Sequence, residues 1–312
     1  DCVSTLQDHE GAIECVCINN NGTRIISGSR DKTIKIWEVQ SGKCLKTLQG
    51  HKNDVNGLIL FQNDTRIISC SKDKTVKIWD INTGKCLKSL KAHKKEVTGI
   101  DISPDGKILA SCSRDKTIKI WNLQSNKCIK ILKGHQSHVT SVSINKNGQR
   151  LISSSDDGTA RLWDIESEKC ISILKGHKNR VLRAVFNKDD NIITCSQDRD
   201  IRIWSSNGKF LSLYQGHEGT VTKIFPGNDN VFASCSWDHT VRMWSIQDIK
   251  EIVKLKGHTK KIKEMCIGTN KILSSGNDNN LILWNLKNGN HIFELKGHHK
   301  PVITLILTND ET

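Results

Sequence analysis

The sequence predicts an all-β chain built from seven copies of one small antiparallel sheet. Three observations carry this. Trp37, Trp79, Trp121, Trp163, Trp204, Trp244 and Trp284 recur at steps of 42, 42, 42, 41, 40 and 40 residues. A histidine keeps the same beat at His9, His51, His93, His135, His177, His217, His258 and His298. No window holds the i, i+3, i+4, i+7 apolar pattern of an amphipathic helix. A period near 40 means one supersecondary unit repeated along the chain.

The second copy shows each element in order. After His51, residues 55–60 form a short apolar run that predicts a first strand, ended by the polar turn Gln62, Asn63, Asp64. Residues 66–71 predict a second strand, and Lys72, Asp73, Lys74 a tight turn. The alternation over 75–79 predicts a third strand ending on Trp79; Gly84 lies in the next turn, and 86–90 closes the unit. Four short strands with short turns make a meander. One such sheet cannot bury both of its faces, so copies must stack.

Gly-His, a strand, a Ser-x-Asp-x-Thr turn and then Trp-Asp, as at Trp79-Asp80 and Trp163-Asp164, resembles the WD40 repeat over essentially the whole chain. The resemblance implies a β-propeller. Departures are mild: Glu38, Asn122, Ser205, Ser245 and Asn285 replace the Asp after Trp, and Asp8 and Ala92 replace the Gly before His. Counting runs gives 30 strands, two more than seven blades need, because strand-like runs flank both the first and the last histidine of the beat (3–6 and 302–307). Residues 1–312 are therefore read as one seven-bladed propeller with the start of an eighth repeat at about 298–307. An eight-bladed ring, or part of a longer tandem array, stays open.

Twelve cysteines are present, but Cys44, Cys86, Cys128 and Cys170 share one repeat position, and Cys70, Cys112, Cys195 and Cys235 another. Equivalent positions in neighbouring copies are too far apart to bridge. No C-x-x-C pair occurs, and Cys15-Val16-Cys17 is a poor metal site. Small buried thiols in a reducing cytosol are expected, with no cofactor and no metal. Net charge is +14, from 47 Lys and Arg against 33 Asp and Glu. Much of it repeats, as in Lys35, Lys77, Lys119, Arg161, Arg202 and Arg242, each two residues before a Trp. Repeated charge predicts a solvated rim spread over all copies rather than a nucleic-acid groove. No run of about 18 apolar residues could span a bilayer. The chain starts at Asp1 without Met. It reads as a piece of a longer one, intracellular and cytoplasmic, with the nucleus left open.

Each copy holds a Ser or Thr, a His and an Asp, such as His93, Ser111 and Asp115 with Trp121, or His51, Ser69 and Asp73 with Trp79. An enzyme needs one such set in one cleft, whereas this one recurs with the fold. The resemblance implies a buried hydrogen-bonded tetrad that ties the tight turn to the Gly-His loop, and a non-catalytic chain.

In WD40 propellers, partners generally dock on the narrow top face, where three positions per blade point. The resemblance places there Ala12, Glu14 and Arg30; Asp54, Asn56 and Lys72; Glu96, Thr98 and Arg114; and His138, Thr140 and Asp156. The first three blades each carry an acid and a base, so that part should neutralise itself. The later blades offer Arg180, Leu182 and Gln197; Thr220, Thr222 and Trp237; and Lys261, Lys263 and Asn277. Trp237 is off the beat and has the composition of an interface anchor; the plainer reading packs it under Arg180 as a cation–π pair. Lys260, Lys261 and Lys263 point to an acidic partner. The leading reading is a scaffold that binds a protein or peptide on this face. A ligand-sensing propeller of a larger nucleotide-binding protein, held against other domains of the same chain, is a second. Electrostatic binding of nucleic acid or anionic surfaces is the least favoured, since a single Tyr and few Phe make poor stacking platforms.

Overall fold

The computed structural model describes residues 5–227, 230–268, 271–286 and 288–306. Among these, 28 strands form seven four-stranded antiparallel sheets, each from four consecutive strands, and there is no helix. The all-β, seven-bladed fold is thus present, not the eight-bladed one. The two surplus strands are not formed within the described residues. Thr5 and Leu6, and residues 301–306, lie outside any strand, while Val3 and Leu307 fall outside the described residues. The last blade is completed by its own fourth strand, His291–Leu295.

The second blade shows how local sequence sets the strands. They run Val55–Phe61, Arg66–Ser71, Thr75–Asp80 and Cys86–Lys91, within a residue of expectation. Gln62, Asn63 and Asp64 take φ of 51°, 52° and 60°, the left-handed region that turn-forming Asn and Asp tolerate best.

The chain packs as two compact units, 1–139 and 140–312. In the first, Ile26, Ile34, Ile36 and Leu48 of blade 1 pack on Val55 and Trp79 of blade 2. Ile68, Val76 and Leu90 of blade 2 then pack on Val97, Leu109 and Trp121 of blade 3. In the second unit, Ile201, Ile203 and Tyr214 meet Val221, Phe232 and Trp244. Val241, Met243 and Leu255 likewise meet Ile262, Ile272 and Trp284. Each of these four cores closes on the Trp of the later blade, which is why the indole keeps the beat. Where a glycine precedes the His, as at Gly50, it can fit close against this indole. Gly50 has φ +149°, and a Cβ there would lie 3.2 Å from Trp79 Cη2.

Two expectations are corrected. Cys70, Cys112, Cys195 and Cys235 are buried, but Cys86 and Cys128 are exposed and Cys44 and Cys170 half-buried, because the fourth strand is the blade's open edge. All eleven described cysteines are free. The cations before each Trp do not form a uniformly solvated rim. Lys35 is buried and paired with Asp8, and Arg242 is buried and paired with Glu251. Their aliphatic stems cover the blade while the heads find acids.

Candidate partner-binding rim

The repeated Ser, His and Asp side chains do meet, but as clamps. In blade 2, His51 Nδ1 lies 2.7 Å from Asp73 Oδ2 and Nε2 2.7 Å from Ser69 Oγ, which also accepts from Trp79 Nε1 at 2.8 Å. In blade 3, His93, Ser111, Asp115 and Trp121 repeat this at 3.0, 2.9 and 2.9 Å. The sets around His9, His177, His217 and His258 are built the same way. Asp73 also accepts from the Lys52 and Thr75 backbone amides, at 2.9 Å each, which ties the Gly-His loop to the tight turn.

Charge logic fixes the protons. A carboxylate only accepts, so Nδ1 carries the ring hydrogen and Nε2 must accept from the serine hydroxyl. The serine oxygen in turn accepts from the indole. Burial works to raise the Asp198 carboxyl, but the His177 hydrogen bond and charge and the Lys178 and Asp200 amides outweigh it and hold it at about 2. The same balance holds Asp73, Asp115 and Asp238 well below the usual carboxylate range. Burial lowers His217 despite its Asp238 partner. Ser69 and Ser111 are wholly buried, with the proton committed to the imidazole and the oxygen also holding the indole. Such hydroxyls are closed to a substrate carbonyl. Among the described residues, no group of three or more His, Cys, Asp or Glu could hold a metal ion.

The mapped rim positions are built by two backbone devices. First and third positions share a hydrogen bond: Lys72 N to Asp54 O at 3.0 Å, Gln197 N to Arg180 O at 3.0 Å, Trp237 N to Thr220 O at 2.9 Å, and Asn277 N to Lys261 O at 2.8 Å. The second position is the extra residue of a β-bulge. Pairing passes from Val55 with Ser71 to Gly57 with Cys70, leaving Asn56 out of the ladder. Glu14, Thr98, Leu182, Thr222 and Lys263 are skipped likewise. A bulge re-aims its extra side chain, so these six project alike.

What those side chains do divides the blades. Asn56 Nδ2 donates to Val97 O at 2.8 Å, Thr98 Oγ1 to Val139 O at 2.6 Å, and Thr140 Oγ1 to Val181 O at 2.7 Å. Each ties its blade to the next. At Leu182 the series stops, since leucine has nothing to donate. Thr222 turns to its own blade, at 3.3 Å from Cys235 O. The rim charges of the first unit neutralise one another as expected: Arg30 with Glu14, Lys72 with Asp54 at 2.7 Å, and Arg114 with Glu96 at 3.3 Å.

Blades 5 to 7 differ. Arg180 is exposed, with Asp156 at 3.9 Å, and does not cover Trp237. Instead Lys261 Nζ lies 4.1 Å from the Trp237 ring centroid. Trp237, Leu182, Gln197, Thr222 and Lys263 are half-buried, Lys261 is exposed, and Thr220 is buried. Glu264, the nearest acid in sequence to the lysine run, is taken by Lys223 at 2.8 Å. In blades 6 and 7 three side-chain atoms are buried without a hydrogen-bond partner: Trp237 Nε1, Ser275 Oγ and Asn277 Oδ1. Each such atom costs about 1–3 kcal/mol. Sequence reasoning passed over Ser275. Its signal lay in aligning the copies, where Cys70, Cys112, Cys195 and Cys235 precede Ser71, Ser113, Ser196 and Ser236, but blade 7 reads Ser275-Gly276.

Among known proteins, a family model described as the WDR19 first beta-propeller matches residues 58–226. One described as WD domain, G-beta repeat, matches 1–38, 208–245 and 249–285. A 39-residue stretch is 46% identical to Nuclear distribution protein PAC1 of Candida dubliniensis, and the match covers 12% of this chain and only 8% of that protein. The crystal structure of the computationally designed Ika8 protein is similar with a TM-score of 0.87 and 30% identity, over 95% of this chain and 90% of that one.

Proposed function

The chain belongs to the WD40-repeat β-propeller family, and from that premise we propose that it is a non-catalytic scaffold binding a protein or peptide segment on the rim of blades 5 to 7. WD40 propellers are generally interaction scaffolds, and no helix of the described residues is long and apolar enough to cross a membrane. The observation that carries the choice of face is Trp237. It occupies the tight-turn position where blades 1 to 3 place a cation already paired with an acid. A half-buried indole under Lys261, with Leu182, Arg180, Gln197, Thr222 and Lys263 at the matching rim positions of blades 5 to 7, is anchor chemistry with a cationic rim. An acidic segment fits that rim. The reading takes 1–312 as one domain of an intracellular, cytoplasmic protein.

Affinity capture with the wild type, Trp237→Ala, Arg180→Glu and a blade 2 control, Lys72→Glu, tests it. Loss of partner in the first two variants with the control unchanged, all with native circular dichroism, supports the face. Equal recovery from all four places the binding surface elsewhere.

A further inference from the structure

Two of the three orphan atoms of blades 6 and 7 lie where blade 7 departs from the other copies. In blades 3 and 6 the bulge threonine lies beside the second-strand thiol, Thr98 with Cys112 at 3.2 Å and Thr222 with Cys235 at 3.4 Å. In blade 4, Thr140 meets Ser154 at 2.7 Å. Blade 7 has Lys263 at the bulge and Ser275 opposite, so the serine hydroxyl is left with no partner. One residue on, Gly276 replaces the serine that elsewhere caps the tight turn, as Ser71 Oγ does toward the Asp73 amide at 3.0 Å. Next comes Asn277, whose backbone is held by Lys261 O while its side-chain oxygen finds nothing. Lys261 in turn reaches across to blade 6 and lies over Trp237, whose ring N–H is also unpartnered. Lys261 thus touches both residues of an orphan pair, its ammonium over the Trp237 ring and its carbonyl on the Asn277 amide, and it has no acid partner among the described residues.

We propose that this cluster is a latched seat for an extended acidic peptide. The inference rests on the partner-binding reading above and names its chemistry. A peptide unit offers a carbonyl to Trp237 Nε1–H and an N–H to Asn277 Oδ1, which are the two complements missing here. Lys261 is the latch. In the free protein its ammonium has only the indole face to lie on, which is a weaker partner than a carboxylate. An Asp or Glu side chain on the incoming peptide draws the ammonium off the ring and opens the seat, with Lys263 beside it as a second cation. Specificity for acid therefore comes from the latch, and affinity for backbone from the orphan pair.

The test uses indole-¹⁵N-labelled protein, with the Trp237 resonance identified by its loss in Trp237→Phe. The probes are N-acetyl-Gly-Asp-Gly-amide, its Asn isostere and sodium acetate. The aspartyl peptide is expected to shift the Trp237 indole N–H and the Asn277 amide saturably, with the asparaginyl peptide at least about tenfold weaker. Lys261→Met should bind both peptides alike. Trp237→Phe and Asn277→Leu, followed by the Gly276 amide, should each weaken the aspartyl peptide by about tenfold. An equal shift with acetate, an unmoved indole resonance, or a preference for Asp that survives Lys261→Met overturns the seat. If the indole stays unmoved while Trp237→Ala still loses its captured partner, the seat falls and the binding face stands. If neither responds, both fall.

Discussion

The Trp79 indole N–H donates to the Ser69 hydroxyl at 2.8 Å, so the buried oxygen that faces His51 also holds the indole of its own blade. Asp73 only accepts, so His51 Nδ1 gives it a hydrogen, and Nε2 takes the hydroxyl hydrogen at 2.7 Å. The arrangement has the proton order of a catalytic relay but not its accessibility. A nucleophile must be reached by its substrate, and here the hydroxyl is wholly buried with the indole against its oxygen.

Removing that oxygen strands two buried groups at once. Ser69→Ala should destabilise the protein by about 2–4 kcal/mol, from an unmet indole N–H and an unmet imidazole nitrogen. Ser69→Thr should cost under about 1 kcal/mol, since blade 5 uses Thr194 in the same role, 3.0 Å from Trp204 Nε1. Urea denaturation at pH 7 checks both. An Ala variant as stable as the wild type would remove the tetrad from the stability argument.

Acid should unfold the chain in two stages. His217 is lowered from 6.5, so below that value the unfolded state takes up a proton the folded state refuses, and stability starts to decline. Asp198 is held at about 2 against 3.8, and Asp73, Asp115 and Asp238 lie lower still. Their contribution is complete above about pH 4 and is lost steeply as pH falls towards 2. Urea midpoints across pH 2–8 should be flat above pH 7, shallow below 6.5 and steep below 4. Asp198→Asn should reduce the steep part.

Thr140→Val keeps shape and deletes a hydroxyl that serves Val181 O, at 2.7 Å, and Ser154 Oγ, at 2.7 Å. It should cost about 1–2 kcal/mol by the same denaturation measurement. Leu182→Thr runs the other way, supplying the donor that blade 5 lacks; it should leave stability within about 1 kcal/mol while weakening partner capture.

Alkylation should sort the cysteines by strand. Cys86 and Cys128 are exposed on fourth strands and should react in the native state. Burial pushes the Cys235 thiol up to about 12, and Cys195 and Cys70 higher. At pH 8 a thiol of that kind is thiolate to only about one part in 10⁴. Mass spectrometry after a brief iodoacetamide pulse should therefore find these three unmodified until denaturant is added.

What residues alone determined was everything that each copy specifies locally. The Trp beat pointed to seven blades while the eighth His left eight open, and the turn residues Asn63, Asp64 and Asp73 set where strands end, because alternation and turn chemistry act over a few neighbouring positions. The tetrads were legible for the same reason, being written out in every copy. The rim positions were legible as a set, and Leu182, Trp237 and Lys263 stood out as departures. The tertiary structure decided which side chains pair between blades. Lys261 rather than Arg180 covers Trp237, Asp156 stands by Arg180, and Ser275 and Asn277 are left wanting. Those outcomes depend on the aim a bulge gives its extra residue and on what the adjoining blade presents within a few ångströms, and neither is encoded within a single repeat.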